Sequence, residues 1–447
     1  MREDFLHFLW RTRQFDVSDL TTTDGEAIEI LDFGSYNALD SGADFQNVKL
    51  RIGDWTWFGS VEMHVKASDW LVHGHQHDAA FGSVILHVVY ENDVEISRKG
   101  IYTEGASKNL TVVKRPTESA SESPVIPCLV LKHRIPEGIF KKYWALLHNS
   151  DWIPCQRHIQ QINGLTKIKW LERLAVERLE QKSAIIQTAL ERNKDDWEET
   201  FWQFTARYFG SKVNAEPMEM LARSLPHRIL AKHKDQLFQI EALLFGQAGF
   251  LEKEFNDTYL LQLKKEYQFL KTKHNLVDSV PLAAWKFGRL RPPSFPTIRL
   301  AQLAALIHRS VHLFSKVIDN QDVERLSALF EVEVSAYWHD HFVFDTPSVS
   351  SPKRLGSDAI DVILINNVAP FIYLYGKLRG DASLKDNALL LLENVKAEKN
   401  TLIDGWKILD VKVPSAADSQ ALIQLKTQYC DLKKCASCAI GNAILKG

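Results

Sequence analysis

Apolar and polar positions divide the chain into two stretches with different periods. Up to about residue 145 the alternation is short. Val48, Leu50 and Ile52 alternate with Lys49 and Arg51, which predicts a strand over 47–53. Strands are also predicted over 27–33 and 56–66. The continuous apolar run 84–90, around His87, reads as a strand covered on both faces. Phe5, Phe8 and Leu9 share one side of a short helix predicted over 3–14. Residues 69–82 form a crossover helix or a loop, and the serine- and glutamate-rich 116–124 read as an exposed loop.

From about residue 150 the period lengthens. Leu165, Ile168, Leu171, Leu174, Ala175 and Leu179 recur at three- and four-residue steps, the stripe of an amphipathic helix. Similar stretches run near 182–209, 235–251, 257–273, 298–318, 359–376 and 384–397. No fixed repeat period is present, so a solenoid is not supported. The expected architecture is a mixed-sheet α/β domain over 1–150. A large, mainly α-helical domain follows over 151–447 and carries the C-terminal cysteines.

Composition narrows the function classes. The 447 residues are 45% hydrophobic and 25% charged, with a formal net charge of −2. That balance excludes a histone-like polycation and a wholly disordered chain. No uninterrupted apolar run reaches about 18 residues, so no membrane span is expected. The N-terminus, Met1-Arg2-Glu3-Asp4-Phe5, lacks the layout of a secretory leader, and a cytoplasmic protein is the expectation. Oligomeric state is left open.

Local charge is less even than the total. Residues 1–60 hold eleven acids and five bases, whereas 263–299 hold eight Lys and Arg against Glu266 and Asp278. In that second segment Lys286, Arg289, Arg291 and Arg299 interleave with Tyr267, Phe269, Trp285, Phe287 and Phe295. Cations beside stackable rings suit single-stranded DNA or RNA. The same pattern also describes a solvated helix pair and loop.

Three constellations carry candidate chemistry. Asp44 precedes one predicted strand, and Glu62 lies within the next, in Val61-Glu62-Met63-His64-Val65-Lys66. Strand alternation puts Glu62, His64 and Lys66 on one face. Two carboxylates on adjacent strands can hold Mg2+ or Mn2+ through oxygen, with His64 or Lys66 activating water. Next comes a histidine run, His73, His75, His77 and Asp78, with His87 on the following strand. It would supply supporting contacts, a phosphate contact or a metal site of its own. Hydrogen-bonded structural histidines are the alternative. Finally, Cys430, Cys435 and Cys438 have the spacing C-x4-C-x2-C, and Cys155 supplies a fourth thiol. Such a set holds Zn2+ or an iron–sulfur cluster, or is simply buried. Lys433 and Lys434 are expected to lower the pKa of the neighbouring thiols. Cys128 is left as structural.

The acidic strand pair resembles the PD-(D/E)XK nuclease superfamily, whose restriction-endonuclease-like core uses an aspartate and an acid-x-lysine to hold magnesium. The resemblance implies Asp44 and Glu62 as metal ligands, with His64 in the lysine place and Lys66 further along. Ala43 stands where proline is usual. One upstream and three C-terminal cysteines resemble the arrangement of certain CRISPR-associated exonucleases and helicase–nuclease subunits, which implies a [4Fe-4S] cluster. Over nearly its whole length the chain also resembles the bacterial domain-of-unknown-function family 2851, of Bacteroidetes type. The matching segments include Gly42-Ala43-Asp44-Phe45, Gly59-Ser60-Val61-Glu62-Met63-His64, His73-Gly74-His75, Glu241–Gly249, Arg289-Leu290-Arg291-Pro292 and the terminal cysteines. The expected function is a metal-dependent nuclease or phosphodiesterase. The alternatives are a non-enzymatic nucleic-acid- or protein-binding scaffold with a degenerate nuclease-like core, or a different metal hydrolase centred on His73, His75 and Asp78.

Overall fold

The computed structural model describes residues 1–37, 41–96, 125–277, 279–310 and 312–447. The expected loop at 116–124 lies outside them. The chain divides into two compact units, Met1–Trp170 with Leu425–Gly447, and Leu171–Gln424. The boundary expected near 150 therefore falls near 170. The cysteine-bearing end, placed with the helices from sequence order, belongs to the N-terminal unit instead. That return is made by contacts distant in sequence, which no local period records.

The first unit is built on a mixed seven-stranded sheet. It starts with helix α1 (Glu3–Thr12), whose Phe5, Leu6, Phe8, Leu9 and Trp10 are buried. Strands β1 (Leu20–Thr21), β2 (Ala27–Asp32), β3 (Ser35–Tyr36), β4 (Phe45–Ile52) and β5 (Trp55–Lys66) follow. Helix α2 (Asp69–Val72) and two 3-10 turns then lead to β6 (Val84–Glu91), and β7 (Cys128–Val130) completes the sheet. The order is β1-β2-β4-β5-β6-β7, with β3 also paired to β4. Pairings through β4–β5 are antiparallel, whereas β5–β6 and β6–β7 are parallel.

The parallel pairs explain the apolar run at β6, where Val84 to Val89 are all buried. A strand between two parallel neighbours is covered on both faces and needs no polar alternation. The crossover from β5 to β6 is neither one helix nor a plain loop. It is a four-residue helix followed by turns at His75–His77 and Ala79–Phe81.

The second unit is helical. Phe201, Trp202, Phe245, Trp338 and Phe371 lie in one continuous apolar core. The stretch expected over 182–209 breaks in two, ending one helix at Arg192 and starting another at Trp197. Asp196 accepts the Glu199 N–H at 2.9 Å and caps the second helix. One helical segment, Ser357–Arg379, is long and apolar enough to cross a membrane, although no span was expected; 72% of its apolar window is buried inside the protein. It contains a π-helical turn over Leu364–Val368, where Asn367 donates to Thr205 at 2.9 Å.

Candidate functional site

The site forms where β4 begins, beside the middle of β5. Gly42, at φ 110°, turns the chain into the strand. Asp44 is then fixed through its backbone and its side chain. Its N–H donates to Oε2 of Glu62 at 3.0 Å, and its Oδ2 accepts the Met63 N–H at 2.9 Å. Its carbonyl accepts the Asn37 N–H at 2.8 Å. The sequence pair Asp44 and Glu62, 18 positions apart, is thus brought together where the chain enters β4 beside β5.

Imidazoles surround Glu62. Its Oε1 lies 3.3 Å from Nε2 of His75 and 3.7 Å from Nε2 of His64. Nε2 of His64 lies 3.1 Å from Nδ1 of His73, and Nδ1 of His64 lies 2.8 Å from Nε2 of His87. Ligand atoms of His64, His73 and His75 all fall within 4.8 Å of one another. Glu62, His64 and His87 are buried, and His73 is exposed, so the cluster is closed on the sheet side and reachable at His73.

Gly74 makes this convergence possible. At φ 75° it reverses the chain locally between His73 and His75. The space around it is open, so the backbone angle, not room for a side chain, is what requires glycine. Trp70 packs edge-on to His64 and His75, with centroids 6.3 and 5.3 Å away, and Phe81 stacks on His75 at 3.7 Å.

Burial and mutual proximity set the electrostatics. Burial, then the neighbouring His87, His75 and His73, push His64 down to about 2. Burial and His75 push His87 down to about 4. Glu62 is raised, chiefly by burial; contacts with His75 and the Asp44 N–H oppose this, and the Asp44 charge adds to it. Both buried imidazoles are therefore neutral at neutral pH, the form that offers a lone pair.

Sequence reasoning missed two contributors, both on α1. His7 places Nε2 3.1 Å from Oδ2 of Asp44. Burial opposes its charge, but the contact with Asp44 and the charges of Asp44, Glu3 and Glu62 raise its pKa. Glu3 is raised by burial, with His73, Asp44, His7 and Asp69 as charged neighbours. The available signal was their four-residue spacing, which puts Glu3 and His7 on one side of the helix. Other expected members stand apart. Lys66 shares the face of Glu62 and His64 but lies exposed at the strand end, beside Asp93. Asp78 caps the turn at Ala79–Phe81 by accepting the Ala80 N–H at 2.9 Å. His77 is exposed outside the group of converging imidazoles.

The model of the family described as protein of unknown function (DUF2851) matches residues 3–104 and 110–401. The chain belongs to that family. No curated protein and no solved structure matches it. In this DUF2851 protein the carboxylate–imidazole cluster lies inside the matched residues, and the terminal cysteines lie beyond them.

Those cysteines nevertheless converge in the first unit of the DUF2851 chain. Cys155, Cys430, Cys435 and Cys438 are buried and line one cavity with Pro154, Tyr429 and Lys434. Cys438 is the N-cap of the last helix, Ala439–Lys446. Burial raises its thiol, while the N–H groups of Ile440 and Gly441 and the Trp170 side chain lower it. Burial pushes Cys155 and Cys435 up to about 12, with neighbouring cysteines adding to it. The expected lowering by lysine is corrected here: Lys433 acts on Cys435 in that direction, but burial outweighs it. Cys128 sits apart on β7.

The basic segment is less open than its sequence implied. Trp285 is buried and its indole donates to the Ala248 carbonyl at 2.9 Å. Phe287 and Phe295 pack edge-on at 5.3 Å, whereas Phe269 is exposed. Lys286, Arg289 and Arg291 are exposed. Arg299 is partly buried and donates to Gln302 at 3.1 Å.

Proposed function

We propose that this protein is a divalent-metal-dependent nuclease or phosphodiesterase acting on DNA or RNA. The observation that carries the reading is the joining of Asp44 and Glu62 through Asp44 N–H to Glu62 Oε2, with Glu62 Oε1 facing a cluster of imidazoles. Carboxylate oxygens are suitable donors for Mg2+ or Mn2+, and Asp44 and Glu62 would hold the ion. A bound cation would stabilise charge on the scissile phosphate and favour ionisation of water. His7, whose Nε2 lies 3.1 Å from Asp44, would take the proton of the attacking water. Water oxygen would bond to phosphorus as a phosphorus–oxygen bond breaks, and the leaving oxygen would take up a proton from solvent. Within the second unit, Arg289 and Arg291 are exposed cations that would bind a nucleic-acid backbone on their own account.

The cysteine set fits a structural metal. Four thiols line one cavity, with two N–H groups and an indole facing Cys438, and they would be the ligands of a Zn2+ or a [4Fe-4S] cluster, although no three of them converge within 4.8 Å as His64, His73 and His75 do. Such a group would tie the chain end to the sheet-bearing unit.

The test uses labelled single- and double-stranded DNA and RNA with Mg2+ or Mn2+. Cleavage by the full chain, lost in both Asp44→Asn and Glu62→Gln, is the expected result. Cleavage that persists in both variants, or no cleavage of any of these substrates, removes the proposal.

A further inference from the structure

We infer that His64, His73 and His75 form a three-imidazole transition-metal centre, with Glu62 at its edge against His75 and His64, and His87 as its supporting hydrogen-bond partner. This goes beyond the proposed function: it is a second metal site beside the one proposed for Asp44 and Glu62, and it makes His64 a ligand.

The geometry carries the assignment. A tetrahedral ion bound at about 2.0–2.1 Å by nitrogen holds neighbouring ligand atoms about 3.3 Å apart. Here His64 Nε2 and His73 Nδ1 are 3.1 Å apart, and the ligand atoms of His64, His73 and His75 all lie within 4.8 Å of one another, with Glu62 Oε1 3.3 Å from His75 Nε2 and 3.7 Å from His64 Nε2. The far nitrogen of His64 is occupied too. A ligating imidazole normally donates its other N–H to a fixed acceptor. His64 Nδ1 sits 2.8 Å from His87 Nε2, which meets that requirement.

The surroundings agree. Trp70 and Phe81 wall the imidazoles with aromatic surface, and Trp70 is fully buried. His73 is exposed, which leaves an approach for water or a ligand. Three imidazoles suit zinc, cobalt or iron. Magnesium prefers oxygen ligands and keeps several waters. Without an ion the same rings make a chain of hydrogen bonds, and that alternative predicts no metal at all.

The test is a Co2+ titration of the chelator-treated full chain, followed by visible absorption and calorimetry. Wild type, His73→Ala and His75→Ala are compared. His73 is exposed, so its variant preserves the fold. The difference spectrum between wild type and either variant should show d–d bands without the sulfur-to-cobalt charge transfer of a cysteine site. One equivalent should bind at least about 100-fold more weakly in each variant. Millimolar Mg2+ should not displace it. Equal stoichiometry and spectra in all three proteins, or displacement by Mg2+, overturns the centre. The outcomes also separate this centre from the nuclease reading. Metal bound without cleavage leaves the centre standing and the nuclease reading fallen. Mg2+-dependent cleavage by a wild type that binds no cobalt at these histidines does the reverse.

Discussion

The amide of Asp44 donates to Glu62 at 3.0 Å, so the backbone that carries one carboxylate holds the other in place. The side chains also repel through charge, and burial already raises the pKa of Glu62. Removing that charge therefore relieves a cost while keeping an oxygen for the amide. Glu62→Gln is expected to lower cleavage by about 10²–10⁴-fold, the range of a lost acid–base or ligand group. Its unfolding midpoint should stay at or above that of wild type. Single-turnover assays beside thermal melts check this. A variant that is both active and destabilised would contradict it.

His87 is hydrogen-bonded to the imidazole cluster through His64. His87→Gln keeps a polar group on β6 but changes the acceptor that orients His64. Metal affinity should fall about 10–100-fold, as for other lost supporting partners of a ligand. Co2+ binding by calorimetry reads the change. Unchanged affinity would show that His64 needs no such support.

Gly74 separates the two effects a glycine can have. Its neighbourhood is empty, so the methyl group of Gly74→Ala meets nothing. The left-handed angle alone costs about 1–2 kcal/mol in a residue with a Cβ. The bend between His73 and His75 should relax, weakening metal binding while the sheet remains intact. Circular dichroism and the same titration distinguish these effects.

Much of this arrangement was legible in the sequence, for identifiable physical reasons. Alternation located β4 and β5, and with them the shared face of Glu62 and His64. The cysteine count pointed to Cys155 as the fourth thiol, and the four line one cavity. What failed depended on three-dimensional placement. His7 reaches Asp44 only because α1 packs against β5, a relation with no local signature. Lys66 has the right parity but lies past the buried part of its strand. Trp285 and Arg299 looked like a nucleic-acid surface because burial of a ring or an aliphatic stem cannot be read from residue type.

The cysteine cavity makes a metal-removal prediction. Burial holds Cys155 and Cys435 near 12, so the free thiols are protonated and react slowly with disulfide reagents. A bound metal takes them as thiolates. Chelation should release metal, and Leu425–Gly447 should then lose hydrogen-exchange protection together with the segment around Cys155. Cys155→Ser should produce the same loss without chelator. Protection that survives both treatments would mean that apolar packing alone holds the chain end.

Lys182 gives the helical unit a pH dependence of known sign. Its Nζ donates to Asn366 at 2.7 Å and Gln420 at 2.5 Å, and both amides donate in turn to Glu398, at 3.1 and 2.5 Å. The ammonium thus meets the carboxylate only through neutral amides. Burial, then the charge of Arg178, push it down to about 7 from an ordinary 10.5, against the pull of Glu398. Between those values the unfolded chain binds more protons than the folded one, so stability rises with pH. It falls as pH drops through the same window and levels off below about 7, where both states are protonated. Lys182→Met removes this contribution, although it leaves two amide oxygens without their donor. Urea unfolding of the full chain, followed through the transition of the helical unit from about pH 7 to about pH 10, should show a shallower rise in the variant. Parallel profiles for the two proteins would mean that Lys182 stays charged in the folded state throughout.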